Sequence, residues 1–225
     1  MSGWSELPPG LRTRGDPSTA TRVVLIRHGD SMVNALGIVG GIRSCTGLTD
    51  LGRAQADALA DRLVKSRELM GASAVYTSVL PRAIETAQRL SRGLPDVELV
   101  ADCDLCELHP GDADGLTWAQ YLERYGAPDW GSHPDAPFSP NGESWSGFFF
   151  RCRDAFARLA ERHRGEQVVV VAHGGVVEQA MKIYRGSEPG ERLMLLTENC
   201  SMTELELDGL RRLLRYNDLA PETGA

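Results

Sequence analysis

Short β-branched and aliphatic runs alternate along the chain with longer stretches of helical periodicity. Val23-Val24-Leu25-Ile26 has the character of a buried strand and stops abruptly at Arg27-His28-Gly29-Asp30. A Gly-rich loop follows over 36–48. Thr49 is a good helix cap, and the spacing after it predicts a helix over 50–65. Leu51, Ala54, Ala58, Leu59 and Leu63 are its expected apolar face. A second strand is predicted over 72–77. Ser78 then leads into a helix with Pro81 in its first turn, where proline is tolerated, and with Ala83, Ala87 and Leu90 facing inward. A third short strand is expected over 97–101.

Residues 109–144 break this rhythm. Their Pro, Gly and Asp content predicts a long lid-like insertion with one short helix near 117–125. Trp145, Phe148, Phe149, Cys152, Phe156 and Leu159 then recur at helical spacing over 144–162, a face that reads as core packing. Gln167-Val168-Val169-Val170-Val171-Ala172 is the strongest strand signal, and it too ends in a His-Gly turn, His173-Gly174-Gly175. A helix is expected over 176–184, then strands over 193–197, 202–207 and 211–216. Asp208-Gly209 joins the last two as a hairpin signal.

Strands alternating with helices predict an α/β fold, a three-layer α/β/α sandwich around a mostly parallel central sheet. Residues 1–21 carry no periodicity and read as a flexible N-terminal tail. Residues 22–216 read as a single domain and 217–225 as a short C-terminal tail.

Composition narrows the function classes. The chain has 225 residues, 42% of them hydrophobic and 24% charged, which excludes a disordered chain, a collagen and a coiled coil. Its net charge of −7 argues against a nucleic-acid partner. No apolar run approaches the ~20 residues of a membrane span, and the N-terminus lacks a signal-peptide layout. A cytoplasmic protein with no membrane partner is expected. Five cysteines form no regular framework, as suits a reducing compartment. Cys103-x-x-Cys106 is flanked by acids that would oppose thiolate formation. A zinc site would need a second ligand pair, and none has suitable spacing. The pair is therefore given neither a metal nor a redox role.

The chemistry concentrates at two turns. In open α/β sheets, ligands sit outside the carboxyl ends of the strands. His28 and His173 both fall there, each followed by a glycine that allows a tight turn. Arg27 precedes one histidine, and Arg82 sits early in the helix after the second strand. Arginine presents a planar fork suited to phosphate oxygens. Two arginines, two histidines and a helix N-terminus converging on one point describe a phosphate pocket.

Several further motifs follow in order. Asn34 lies downstream of Arg27-His28-Gly29. Gly47-Leu48-Thr49 precedes Gly52 and Gln55-Ala56. Thr77-Ser78 leads to Arg82-Ala83 and Thr86-Ala87. Leu105-Cys106-Glu107-Leu108 precedes Gly111 and Gly115. Gly142-Glu143-Ser144 and Ala172-His173-Gly174-Gly175 complete the series. Over about residues 22–216 this order resembles the histidine phosphatase superfamily, also called the phosphoglycerate mutase-like family.

The resemblance implies a phosphoglycerate mutase-like fold and a metal-independent phosphoric monoester hydrolase of the histidine acid phosphatase type. His28 would attack phosphorus to form a phosphohistidine. Arg27, Arg82 and His173 would bind the phosphoryl oxygens and stabilise transition-state charge. Glu107 would protonate the leaving alcohol and later take a proton from water. Asn34 would donate to a phosphate oxygen. No metal or other cofactor is implied. Glu85, Asp30, Asp112 and Asp114 compete with Glu107 for the acid role. Arg43, His109 and His133 read as solvated, and His163 lies near a helix C-terminus, where positive charge is favoured.

Three departures from the family pattern stand at the pocket rim, where leaving groups are recognised. They are Asp30 in place of Glu, Cys106 before the acid in place of Arg, and residues 37–46 without G-R-x-Q-G. The implied partner is a small phosphorylated metabolite. A phosphoglycerate mutase-type transferase and a non-catalytic phosphate-binding module remain as alternatives, and the short tail after Tyr216 favours hydrolysis. An edge at the C-terminal hairpin leaves room for a homodimer.

Overall fold

Strand β1 (Arg22–Arg27) shows why the sheet has two apolar faces. Successive side chains of a strand point to opposite sides. Val23 and Leu25 enter one core, while Val24 and Ile26 enter the other. All four are fully buried, so the strand lies between two helical layers. The computed structural model describes residues 20–191, 193–208 and 212–220.

The sheet has six strands in the order β3-β2-β4-β1-β5-β6. The remaining five are β2 (Ala74–Thr77), β3 (Leu99–Ala101), β4 (Gln167–Ala172), β5 (Met202–Glu206) and β6 (Leu213–Asp218). Strands β3, β2, β4 and β1 run parallel, and β5 and β6 add an antiparallel edge. Registers Arg27↔Ala172 and Arg22↔Gln167 align β1 with β4 end to end. His28 and His173, each the residue after its strand, therefore leave the sheet side by side.

Helices α2 (Asp50–Ser66) and α3 (Pro81–Leu90) cover one face. Helices α5 (Trp145–Arg162) and α6 (Gly174–Arg185) cover the other. Thr49 caps α2 by accepting from the Gly52 amide at 3.0 Å, and Ser144 caps α5 in the same way through Gly147. Two shorter helices, α1 (Met32–Ala35) and α4 (Trp118–Tyr125), lie outside the sandwich. The expected three-layer α/β/α arrangement is the one observed.

Several boundaries differ from expectation. The apolar face of α2 is formed by Ala56, Leu59, Ala60 and Leu63, while Leu51 and Ala54 face solvent. Residues 193–197 form no strand. Met194 and Leu196 are 95% and 75% exposed, so this apolar run sits on the surface. Its carbonyls act instead as acceptors, Leu196 O from the Tyr216 hydroxyl at 2.6 Å and Thr197 O from Arg27. The N-terminal tail lies outside the described residues except for its last two positions. Thr21 is buried, with its amide and hydroxyl on the Asp208 carboxylate at 2.8 and 2.7 Å. The last strand ends later than the expected 216, because β6 runs to Asp218, which pairs with Arg62. Gly209 of the hairpin signal lies outside the described residues.

The insertion over 109–144 has a small core of its own. Val39, Ala113, Tyr121 and Phe138 pack together, and the last two rings stack at 4.3 Å. Thr117 and Gln120 form a capping box on α4. Trp130 stacks on Trp145 at 4.4 Å and joins this small core to the main one. Among the described residues, no helix is long and apolar enough to cross a membrane.

Candidate active site

The two histidines meet. Their ring centroids are 5.1 Å apart with an interplanar angle of 63°. His28 is 4% exposed and His173 is fully buried. Backbone contacts fix both turns, with the His28 amide on Ala172 O at 2.9 Å and the Asn199 side chain on His28 O at 2.8 Å.

Hydrogen bonds assign the tautomers. His28 Nδ1 lies 2.7 Å from Gly29 O, a carbonyl that can only accept, so Nδ1 carries the proton. Nε2 then keeps its lone pair and accepts from Arg82 Nε at 3.2 Å. The same Arg82 Nε lies 3.3 Å from His173 Nδ1, which is therefore also an acceptor. A neutral His173 carries its proton on Nε2, and that buried atom has no hydrogen-bond partner among the described residues. Among the described residues, Arg82 Nη1 and Arg27 Nε are buried without partners as well. Buried donors are normally satisfied, so three such donors on the two arginines and the second histidine suit an anionic ligand.

Electrostatics hold both rings neutral. Burial pushes the His28 pKa well below its ordinary value, and the neighbouring Arg82 and Arg27 charges add to this against the Gly29 hydrogen bond. His173 is lowered in the same way, by burial first and then by Arg82 and its other neighbours. A neutral imidazole at neutral pH is a ready nucleophile.

Glycines permit the close packing beneath the site. A Cβ on Gly29 would lie 2.4 Å from Gly52 O, and one on Gly52 would lie 1.9 Å from Asp30 O. The turn after β1 thus presses backbone to backbone on the start of α2. Thr86 supports it, receiving the Gly29 amide at 3.1 Å and donating to Arg82 O at 2.7 Å. Gln55 accepts the Asp30 amide at 2.8 Å.

Glu107 reaches the start of α6, where its Oε2 accepts from the Gly175 amide at 3.0 Å. The competing carboxylates are engaged elsewhere. Glu85 holds the Leu48 amide and Arg53. Asp114 holds the Gly41 and Arg43 amides, Asp30 holds the Thr49 hydroxyl, and Asp112 accepts from Asn141. Arg27 faces the same site, with carboxylates of Glu107, Glu198 and Asp30 working against the lowering effect of its burial.

The structure thus brings together His28, His173, Arg82, Arg27 and Glu107. Asn34 is exposed on α1, and neither histidine nor Arg82 hydrogen-bonds to its side chain. Arg43 is largely exposed, as expected of a solvated residue, and rests on Asp114 and Gly111 O. His163 stands at the C-terminus of α5 as expected, with its ring buried and bonded to the Tyr76 hydroxyl at 2.9 Å.

Two parts of the site were not read from the sequence. Asn199 comes from an aperiodic loop. Arg151 sits on α5 and donates to Asp104 O, Cys106 O and Glu107 O at 2.9, 3.0 and 3.3 Å, which fixes the segment that carries the acid. The expectation that the flanking acids oppose thiolates holds at Cys103, which burial first, then Cys106 and also Asp104 push up to about 11, and is corrected at Cys106. Burial pushes this thiol up, but hydrogen bonds involving His109, Ser78, Val79 and Cys103 outweigh it and hold it below the ordinary range.

Fold and site define an α/β protein with a histidine–arginine pocket at the carboxyl edge of its sheet. The chain belongs to the histidine phosphatase superfamily, whose branch 1 family model matches residues 23–219. It is 37% identical over 182 residues to the metal-independent phosphoserine phosphatase of Arabidopsis thaliana, covering 78% of this chain and 74% of that one. It is 34% identical over 189 residues to phosphoglycerate mutase-like protein 4 of the same plant, covering 82% and 79%. Among solved structures, YhfR of Bacillus stearothermophilus superposes with a TM-score of 0.76 at 29% identity, covering 89% of this chain and 98% of that one. The family and these relatives support an enzyme of the phosphatase type.

Proposed function

We propose that this protein hydrolyses a small phosphomonoester without a catalytic metal, through a phosphohistidine on His28. The observation that carries this reading is the shared Arg82 Nε, which holds His28 Nε2 and His173 Nδ1 at 3.2 and 3.3 Å. It marks one lone pair for attack and places cationic and neutral donors around it.

The steps follow from these atoms. His28 Nε2 attacks phosphorus while Arg82 turns its donors onto the equatorial oxygens. His173 Nε2–H and Arg27 supply further donors, so charge is stabilised by groups already in place. Glu107 gives a proton to the departing alcohol oxygen. It then takes one from the water that cleaves the N–P bond, which returns His28 to its neutral form. The similarity to a phosphoserine phosphatase supports a small phosphorylated metabolite as the substrate class.

The mutase reading has support in the similarity to a phosphoglycerate mutase-like protein. One assay separates the two. Wild type and His28→Ala are incubated with p-nitrophenyl phosphate and EDTA, and with phosphoglycerates and a bisphosphate primer. Phosphate release by wild type alone, unchanged by EDTA, is expected. Transfer between glycerate positions with little release would establish the mutase instead. Retained phosphate binding without turnover would leave a binding module.

A further inference from the structure

A cluster at the border of the phosphate pocket has the donors and dimensions of a metal site. Cys103, Cys106 and His109 are spaced C-x-x-C-x-x-H, and their ligand atoms all lie within 4.8 Å of one another. The two sulfurs are 3.6 Å apart, and Cys103 Sγ is 3.6 Å from His109 Nε2. Tetrahedral zinc, with Zn–S of about 2.3 Å and Zn–N of about 2.0 Å, requires S···S near ~3.8 Å and S···N near ~3.5 Å. We propose that Cys103 Sγ, Cys106 Sγ and His109 Nε2 form a binding site for a thiophilic divalent cation of the zinc type.

The surroundings suit this role. Metal-ligating histidines usually turn their second ring nitrogen toward a carboxylate. Here His109 Nδ1 faces Glu143 Oε2 at 3.9 Å. The backbone of His109 is held in place, with its carbonyl on the Glu143 amide at 2.8 Å and its own amide on the Glu143 carboxylate at 3.2 Å. Arg151 bonds to the carbonyls of Asp104 and Cys106, which fixes the turn between the two thiols. The Ser78 hydroxyl donates to Cys106 Sγ at 3.2 Å, a contact that would support a thiolate.

Three protein ligands leave a fourth position for water or an exogenous group. Cys103 is exposed, Cys106 is buried and His109 is half-buried, so a cation can enter from solvent. The three residues line a 440 Å³ cleft that Glu107 also lines. Binding would form two M–S bonds and one M–N bond, and each thiol would release its proton to solvent. The signal was hidden in the sequence because the third ligand is a histidine three residues on, rather than a second cysteine pair.

Cobalt(II) tests the proposal, because thiolate ligation gives near-ultraviolet charge-transfer absorption that nitrogen or oxygen ligation does not. Reduced, metal-free full-length protein is titrated anaerobically with Co²⁺. We expect one equivalent to produce a thiolate-to-cobalt band, which added Zn²⁺ abolishes by displacement. Cys103→Ser changes an exposed side chain and is expected to weaken that band. His109→Ala is expected to lower Co²⁺ affinity at least about tenfold. His28→Ala is expected to leave the band intact, since it alters only the phosphate pocket. Absence of the band, its survival unchanged in both Cys103→Ser and His109→Ala, or its loss in His28→Ala would overturn the proposal. None of these outcomes bears on phosphoester turnover in EDTA.

Discussion

Glu107 holds its position because residue 175 has no side chain. A Cβ on Gly175 would lie 2.1 Å from Glu107 Oε1 and 2.9 Å from its carboxyl carbon. The Gly175 amide also binds Oε2 at 3.0 Å. The second histidine turn therefore sets both His173 and the seat of the proposed acid.

This relationship predicts the effect of Gly175→Ala. The clash falls on the end of a flexible side chain, so the fold should survive with a change of under about 1 kcal/mol. The displaced carboxylate should cost about 10²–10³-fold in kcat, in keeping with the usual worth of a positioned acid. The loss should be larger for an alkyl phosphate than for p-nitrophenyl phosphate, whose phenolate leaves without protonation. Equal losses on both substrates would place Glu107 outside the proton transfer.

The neutral, buried histidines predict how stability depends on pH. His28 and His173 both have folded pKa values below their ordinary one, so the unfolded chain binds more protons. Their contribution is fully present above the unfolded value of about 6.5 and falls as pH drops below it, by up to ~1.4 kcal/mol per unit for each ring. Urea unfolding between pH 7 and 5 should show this decline. His28→Gln and His173→Gln should each flatten it. The carboxylates of Glu68 and Asp218, lowered by their arginine partners against burial, act only further toward acid. Glu178, which burial pushes up to about 7, acts in the opposite sense over the same range, so the test is the difference from the variants. A pH slope in His28→Gln and His173→Gln equal to that of wild type would contradict neutral rings.

Arg151 predicts a combined stability and activity defect. Its guanidinium pairs with Glu143 at 2.7 Å, and both side chains are nearly buried. Arg151→Met strands that carboxylate and frees the carbonyls of the acid-bearing segment. A loss of about 3–5 kcal/mol is expected, as for other broken buried pairs. Arg151→Met with Glu143→Gln should recover part of the stability in calorimetry but not the turnover, because the carbonyls stay unheld. Full recovery of turnover would show that Arg151 acts through charge alone.

The sheet core was legible because its strands are short and almost wholly apolar. Gln167–Ala172 has the boundaries its sequence predicted, and Thr49 caps its helix as expected. Residues 193–197 misled because an apolar run carries no information about whether a neighbour will pair with it. On α2, Leu51 fitted the helical period, but it lies in the first turn, outside the contact with the sheet. His28, His173 and Arg82 were readable from strand ends and a helix start. Arg151 and Asn199 were not, since each acts through backbone carbonyls whose positions only the fold creates. The Cys103–His109 grouping likewise depends on a turn held from α5.

The central claim is covalent, and rapid quench tests it most directly. Enzyme mixed with a radiolabelled phosphomonoester, quenched in alkali within the first turnover and digested, should carry label on the peptide containing His28. That label should be stable to base and released by acid, as expected of a phosphoramidate. Label on the His173 peptide, or single-turnover hydrolysis with no bound phosphate at any time, would contradict the account.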